Sequence, residues 1–456
     1  MKKILQGLRY GVPASQQYLS KGGAAKYDTL FVNSKTFMQS ANSVSMLAIE
    51  NSNRGKELII DPQTYSFQRS LEFLFGKPNK KTGAQTIKKT FLKLIDIYGG
   101  PFKKAVIDQK RPIESGDFNE RDIKGLSDVV MDFQREAIIN QTTISKSKKY
   151  FMFLQKKKMI DLGEARPSAL IPPYFYLDGI DDGWLDLNLR FITAALKQLK
   201  SREELYPQVV ISQSLLTNRS AVTEMVASYA RVLTNRTKIC IWVDEFDESV
   251  VKQSVIRDYL YLLEKFNNLG DVYVLYGGYF TILALSIISN RGGVAHGLEY
   301  GESRKVYPVS GGVPSSKYYF PKFHKRYEVL EVIEICRKLK WLETKSIFNK
   351  NVCNCQTCLQ QIGVDVKGSL AKYANTAPAK SGSGRLVPTA KTRHVCLEHY
   401  LNVKNEEYNK ALNIVGELKN ISNASIEFDE VMGLLDTKHN HLNAWLIELK
   451  KKYDCS

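Results

Sequence analysis

Cys353, Cys355 and Cys358 stand in the stretch NVCNCQTCLQQ with the spacing C-x-C-x-x-C. Thiolates this close in sequence can converge on one ion, and tetrahedral zinc takes four soft or borderline ligands. The fourth is expected from RHVCLEHYL downstream, where His399 opens a helical stretch that would hold its imidazole firmly; His394 and Cys396 compete for the place. A Cys3His set leaves no position for an activated water, so the Zn2+ expected here is structural and a zinc hydrolase is disfavoured. A second group of residues able to do chemistry sits where apolar runs end. Asp61 follows ELII directly, and Asp244 follows ICIWV within WVDEFDES. Asp244, Glu245, Asp247 and Glu248 cannot all cap one helix, and like charges so close raise one another's pKa. Gln213, Tyr276 with Gly277 and Gly278, and Glu299 occupy equivalent places after later runs.

The elements that must position these residues are short runs rich in β-branched and aromatic residues. They are DTLFV (28–32), ELIID (57–61), ALIPPYFYL (169–177), QVVIS (208–212), ICIWVD (239–244), VYVLYG (272–277), VAHGLEYG (294–301) and KVYPV (305–309). Their nearly continuous apolar character suits strands covered on both faces of a parallel sheet. Helical periodicity marks 184–200, 221–233, 250–266 and 280–289. The alternation predicts an α/β fold, and about eight strands in sequence favour a (β/α)8 TIM-like barrel over an open doubly wound sheet. In such a barrel chemistry belongs at the carboxyl ends of the strands, which is where the acids and glycines above lie.

The expected organisation is a barrel over 1–324 with a helical insertion at about 86–158. A zinc-binding helical region follows over 325–456: a helix at 325–341, a flexible basic loop over 363–393, and two closing helices at about 396–418 and 426–451. Lys and Arg outnumber Asp and Glu by 65 to 47, a formal charge of +18, which favours a polyanionic partner such as nucleic acid. Seven cysteines, three of them clustered, point to a reducing, cytoplasmic compartment and a metal site, not a disulfide scaffold. The start MKKILQGLRYGVPASQQ has no long apolar region, so no signal peptide is expected, and no run is long enough for a membrane span.

The cysteine cluster, His399 and the helix after it, placed behind an eight-strand pattern, resemble the tRNA-guanine transglycosylase superfamily. The resemblance covers most of the chain. Its specific part is the zinc motif; the barrel motifs match by order and local spacing. It implies that Asp61-Pro62-Gln63-Thr64-Tyr65 stands for the family's Asp-Ser-Gly-Gly-Phe-Gln segment, with Asp61 as acid/base carboxylate and Tyr65 as the stacking aromatic. Gln213 matches the family's glutamine after the fourth strand, and Tyr276-Gly277 its Met-Gly pair after the sixth. Tyr65 and Tyr276 would then sandwich a purine, a contact worth about 1–3 kcal/mol per base. Two departures stand out. Pro172 and Pro173 replace a base-recognising aspartate, and VAHGLEYGES lacks the nucleophilic aspartate after the seventh strand. Either Glu299 takes that role or the nucleophile has moved to Asp244 or Asp247, of which Asp244 is preferred.

Weakened barrel motifs beside an intact zinc cluster look most like the branch that exchanges guanine in DNA for a 7-deazaguanine of the 7-cyano-7-deazaguanine type. That resemblance implies a glycosyltransferase with a covalent aspartyl–DNA intermediate, a 7-deazaguanine base as second substrate, and a possible helper protein. The alternatives are a tRNA-guanine transglycosylase and a non-catalytic nucleic-acid-binding subunit of such an enzyme.

Overall fold

The computed structural model describes residues 4–10, 26–76, 78, 82–144, 152, 156, 166–167, 169–289, 291–298, 301–307, 315–378, 386–434 and 439–455. Nine strands come first in the chain: β1 (Leu5–Tyr10), β2 (Thr29–Asn33), β3 (Glu57–Asp61), β4 (Ala169–Leu170), β5 (Glu204–Leu205), β6 (Gln208–Ile211), β7 (Ile239–Val243), β8 (Val272–Val274) and β9 (Gly293–Gly297). Seven of them form one curled sheet in the order β3-β2-β1-β9-β8-β7-β6, and each neighbouring pair is parallel. The two short strands β4 and β5 pair with each other, and Leu177 bridges to Ile211 at the β6 edge. Parallel neighbours need crossovers. Here they are helices such as Trp184–Lys197, Arg219–Ala230, Gln253–Asn267 and Tyr279–Ile288, close to the helices expected from periodicity. Strands such as Ile239–Val243 are buried along their whole length, as their unbroken apolar sequence requires.

Two strand expectations are corrected. The first strand, LQGLRY, is not among the expected runs and lies in the basic start of the chain, and 305–307 of the expected last strand form a loop; 308–309 lie outside the described residues. The reason is pairing. Arg9 is buried because Asp61 neutralises it, and the Gln6 backbone amide donates to Asp28. Gly7 lets β1 lie close to β9, since a Cβ there would stand 2.7 Å from that of Ala295. Every later strand therefore moves one place along the order, so Gln213 follows the fifth strand position, counting 169–177 as the fourth, and Asp244 the sixth.

The insertion after β3 is mainly helical where described, with helices Lys89–Tyr98 and Glu120–Ile144. Beyond the sheet, an antiparallel hairpin of β10 (Lys317–Phe320) and β11 (Lys325–Glu328) precedes the helix Val329–Lys338, so the first residues of the expected 325–341 helix are a strand. The expected basic loop 363–393 instead contains the helix Val366–Ala371 and an antiparallel pair, β12 (Thr376–Pro378) with β13 (Leu386–Pro388); 379–385 lie outside the described residues. Three helices close the chain, Ala390–Lys410, Ile414–Val431 and His441–Asp454. Buried hydrogen bonds tie the first and last of them to β9 and to the loop after β7: Tyr408 Oη donates to the Val294 carbonyl at 2.6 Å and Trp445 Nε1 to the Glu248 carbonyl at 2.8 Å. Among the described residues no helix is long and apolar enough to cross a membrane.

Candidate functional site

Period-two alternation along the strands turns Arg9, Asp61, Trp242 and Asp244 toward the concave side of the sheet. There they meet an aromatic cluster that includes Tyr65, Tyr174, Tyr176, Trp242 and Tyr276. Asp61, at the end of β3, is fully buried. Its Oδ2 receives Arg9 Nη2 at 2.8 Å, and its Oδ1 receives the Tyr174 hydroxyl at 2.7 Å and the Gln63 amide at 3.0 Å. Burying both charges is tolerable only because each is paired and further hydrogen-bonded. The Arg9 guanidinium also lies over the rings of Tyr276 (5.0 Å) and Trp242 (5.6 Å). Its Nη1 is buried without a hydrogen-bond partner.

Asp244 is half-buried on the other side of the same cluster. The Val306 amide donates to its Oδ1 at 2.7 Å and the Tyr176 hydroxyl to its Oδ2 at 3.5 Å. Desolvation by burial raises its pKa above the ordinary carboxylate value, against the pull of the Val306 amide. The two aspartates are thus joined through one run of aromatic rings: Tyr174 beside Tyr65 (5.5 Å), Tyr65 beside Tyr307 (5.8 Å), and Tyr307 beside Tyr176 (6.0 Å). Gln213 lies at the edge, its Nε2 donating to the Asp244 carbonyl at 3.2 Å.

The loop after β9, Gly301–Tyr307, straps this cluster down. Trp242 Nε1 donates to the Arg304 carbonyl (3.2 Å), Arg304 Nη1 donates to Tyr276 Oη (3.2 Å), and the Tyr307 hydroxyl donates to the Tyr65 carbonyl (2.7 Å). Burial works to raise the Tyr276 phenol, but Arg304 and Arg9 outweigh it and hold its pKa below the ordinary value.

The expected purine sandwich takes a different form. Tyr65 and Tyr276 both face the intervening Trp242 indole, at 5.8 Å edge-on and 4.8 Å tilted, so a tryptophan stands between the two tyrosines. The close approach at Gly277 and Gly278 is made by the protein itself. A Cβ on Gly277 would lie 2.8 Å from Val294 Cγ1, and one on Gly278 would run into the Glu248 carboxylate. Glu248 accepts from the amides of Gly278, Phe280 and Thr281 and from the Thr281 hydroxyl, closing the start of helix Tyr279–Ile288. Asp247 is set apart from Asp244. Its Oδ1 accepts from the Ser249 amide and hydroxyl, and it lines a separate cavity of about 490 Å³ with Glu302, Lys325 and Arg326. Glu299 lies outside the described residues.

Arg9, Trp242, Tyr174, Tyr176, Arg304 and Tyr307 were not singled out from sequence. Trp242 shares the parity of Asp244, and Tyr174 that of Tyr176, so strand alternation carried a signal for those three. Arg304 and Tyr307 sit in a loop with no periodicity to betray them.

The cysteines meet as expected. The ligand atoms of Cys353, Cys355, Cys358 and His399 lie within 4.8 Å of one another, all four residues buried. The His399 Nδ1 to sulfur distances are 3.8, 3.4 and 3.4 Å. A tetrahedral ion with bonds of about 2.3 Å to sulfur and about 2.0 Å to nitrogen requires an S···N separation of about 3.5 Å, so the donor set fits one metal. His399 Nε2 faces the Tyr319 carbonyl at 2.7 Å, which fixes the ring with Nδ1 toward the sulfurs. The Tyr318 ring stacks on the imidazole at 4.1 Å. Cys396 stands apart from these four, near the Tyr373 carbonyl, and His394 lies 3.9 Å from Glu398.

No family model and no curated protein matches the chain. Among solved structures it is similar to the N-terminal CBM22-1–GH10 modules of the Clostridium thermocellum endo-1,4-beta-D-xylanase 10B, complexed with xylohexaose. The identity is 10%, with 64% of this chain and 59% of that chain covered and a TM-score of 0.35.

Proposed function

We propose that this chain is a guanine transglycosylase that exchanges guanine in DNA for a 7-deazaguanine. The observation that supports it is the convergence of Asp61 and Asp244 on one aromatic cluster at the carboxyl ends of parallel strands. The Cys3His cluster, which we read as a structural zinc site, and the +18 charge agree with the reading. The curled seven-strand parallel sheet supports it too: we read it as most of an eight-fold barrel whose remaining position, between β3 and β6, falls to 169–177, where Leu177 bridges to Ile211. The choice of DNA and a cytoplasmic location come from the sequence resemblance.

In this scheme an Asp244 oxygen bonds to C1′ of the target nucleotide as the C1′–N9 bond breaks, and the departing guanine takes a proton. Asp61, with the Tyr174 hydroxyl on its Oδ1, handles that proton and later accepts one from the incoming 7-deazaguanine as its N9 bonds C1′ and frees Asp244. The nucleotide must leave the helical stack to reach these groups. Because Gly301–Tyr307 lies over the cluster, entry requires this strap to lift.

The test is to incubate the chain with DNA, or with tRNA, and a labelled 7-deazaguanine, then analyse nucleosides and trap the adduct on denaturing gels. Wild type is expected to label DNA, and Asp244→Asn to lose the adduct. An adduct that survives Asp244→Asn but not Asp61→Asn reverses the two roles. Base exchange untouched by either change puts the chemistry elsewhere.

One observation favours a second reading, a non-catalytic nucleic-acid-binding subunit: Asp61 is fully buried, with both oxygens already engaged. Exchange that needs an added partner and persists with Asp244→Asn in this chain would establish it.

A further inference from the structure

Lys35 and Lys88 lie beside the strand-end cluster and share two aromatic rings. Lys35 Nζ is 5.3 Å from the Phe73 ring centre and 5.1 Å from that of Phe91; Lys88 Nζ is 5.5 and 5.9 Å from the same two rings. Lys35 follows β2 at the Asp61 end of the sheet, and its amide donates to Gln63 Oε1 at 3.4 Å. Phe73 in turn touches the strap residue Tyr307 at 6.4 Å.

Two neighbouring cations of this rim have carboxylates. Arg69 pairs with Asp178 at 2.9 Å and Lys305 with Glu245 at 2.9 Å. Among the described residues Lys35 and Lys88 form no ion pair; the Lys88 ammonium donates to the Phe73 carbonyl, at 2.7 Å. Burial, with Lys88 and Arg304 close by, pulls the Lys35 amine down to about 8. Holding like charges together in a half-buried place is unfavourable unless an anion joins them. The two phenylalanine faces account for only part of that cost, since a cation–π contact at an exposed site is worth about 0.5–1 kcal/mol.

We propose that Lys35 and Lys88 form a phosphate subsite that holds a backbone phosphodiester of the nucleic-acid strand whose nucleotide enters the Asp61–Asp244 cluster. This rests on the reading of that cluster as a site acting on nucleic acid. The subsite neutralises two like charges that the folded protein leaves unpaired, so strand binding and strap opening work on the same face.

The experiment measures binding of a short labelled single-stranded DNA to the full chain by fluorescence anisotropy across a salt series, with the melting temperature of each variant in parallel. Lys35→Met and Lys88→Met are each expected to weaken binding about three- to tenfold and to flatten the salt slope by about 0.7. Lys35→Arg is expected to restore both. Lys35→Met is also expected to melt no lower than wild type, because it removes a repelled charge; weaker binding from a more stable protein separates ligand contact from simple loss of fold.

If wild type binds the strand and both Met variants bind equally well with the same slope, the subsite is wrong while the base-exchange reading stands. If wild type binds no strand even at low salt, that reading falls and the subsite with it. Stronger binding of an RNA strand with the same loss of slope keeps the subsite and moves the substrate to RNA.

Discussion

Replacing Arg9 by methionine tests the centre of the strand-end cluster. Arg9 Nη2 and Asp61 Oδ2 are 2.8 Å apart, with side chains 5% and 0% exposed. Without the guanidinium, Asp61 keeps only the Tyr174 hydroxyl and the Gln63 amide as donors. Breaking one side of a buried pair costs about 3–5 kcal/mol, because the remaining charge stays in the interior uncompensated. Loss of the contacts with the Trp242 and Tyr276 faces adds about 1 kcal/mol. Asp61→Asn on the Arg9→Met background removes the stranded charge, so the double variant should recover about 2 kcal/mol or more of the combined single losses. The assay is urea unfolding followed by tryptophan fluorescence, since Trp242 lies against Arg9. A loss below about 1 kcal/mol for Arg9→Met, or additive single effects, would mean that water reaches Asp61 and that the buried-pair reasoning is wrong.

Two further predictions concern other parts of the molecule. The purified chain should carry one zinc per molecule by elemental analysis, and Cys358→Ser or His399→Ala should lose it and lower the melting temperature, while Asp244→Asn keeps it; a metal-free but equally stable wild type refutes the site. Burial pushes the Glu248 carboxyl up to about 7 despite the Thr281 hydroxyl and helix amides that bind it. A raised carboxylate binds its proton more tightly when folded. Its contribution to stability is therefore fully present below about pH 4.5 and is lost as pH rises through about 7. Glu248→Gln should flatten this fall, read as the difference between wild-type and variant unfolding free energies at pH 5 and pH 7.5; a difference that does not change with pH refutes it.

Local pattern is enough for a cysteine cluster and for strands buried on both faces. Three thiols within six residues need little chain to meet, and a run such as ICIWV reports its own burial. The helices at 184–197 and 253–267 likewise announce themselves through period and length. LQGLRY does not, because its membership in the sheet depends on Arg9 finding Asp61 and on Gly7 passing close to Ala295, both far away in sequence. The loop 363–393 misleads for a similar reason. Its Gly, Ser and Pro content reads as flexible, whereas β12 and β13 close on each other across the intervening residues.

What the sequence determined by itself was the Cys353–Cys355–Cys358 cluster, the carboxylates at strand ends, and the parallel α/β character, each a matter of spacing or alternation within a few residues. Only the tertiary structure decided which carboxylates share a place. Asp244 joins Asp61 through a run of rings, whereas Asp247, three residues on, turns to Ser249 and a separate cavity. It also decided that Trp242 stands between Tyr65 and Tyr276, and that Arg304 and Tyr307 cover them. The physical reason is that charge pairing and ring packing act through space, between residues from 28 to 242 positions apart in the chain, where no local period can carry the information.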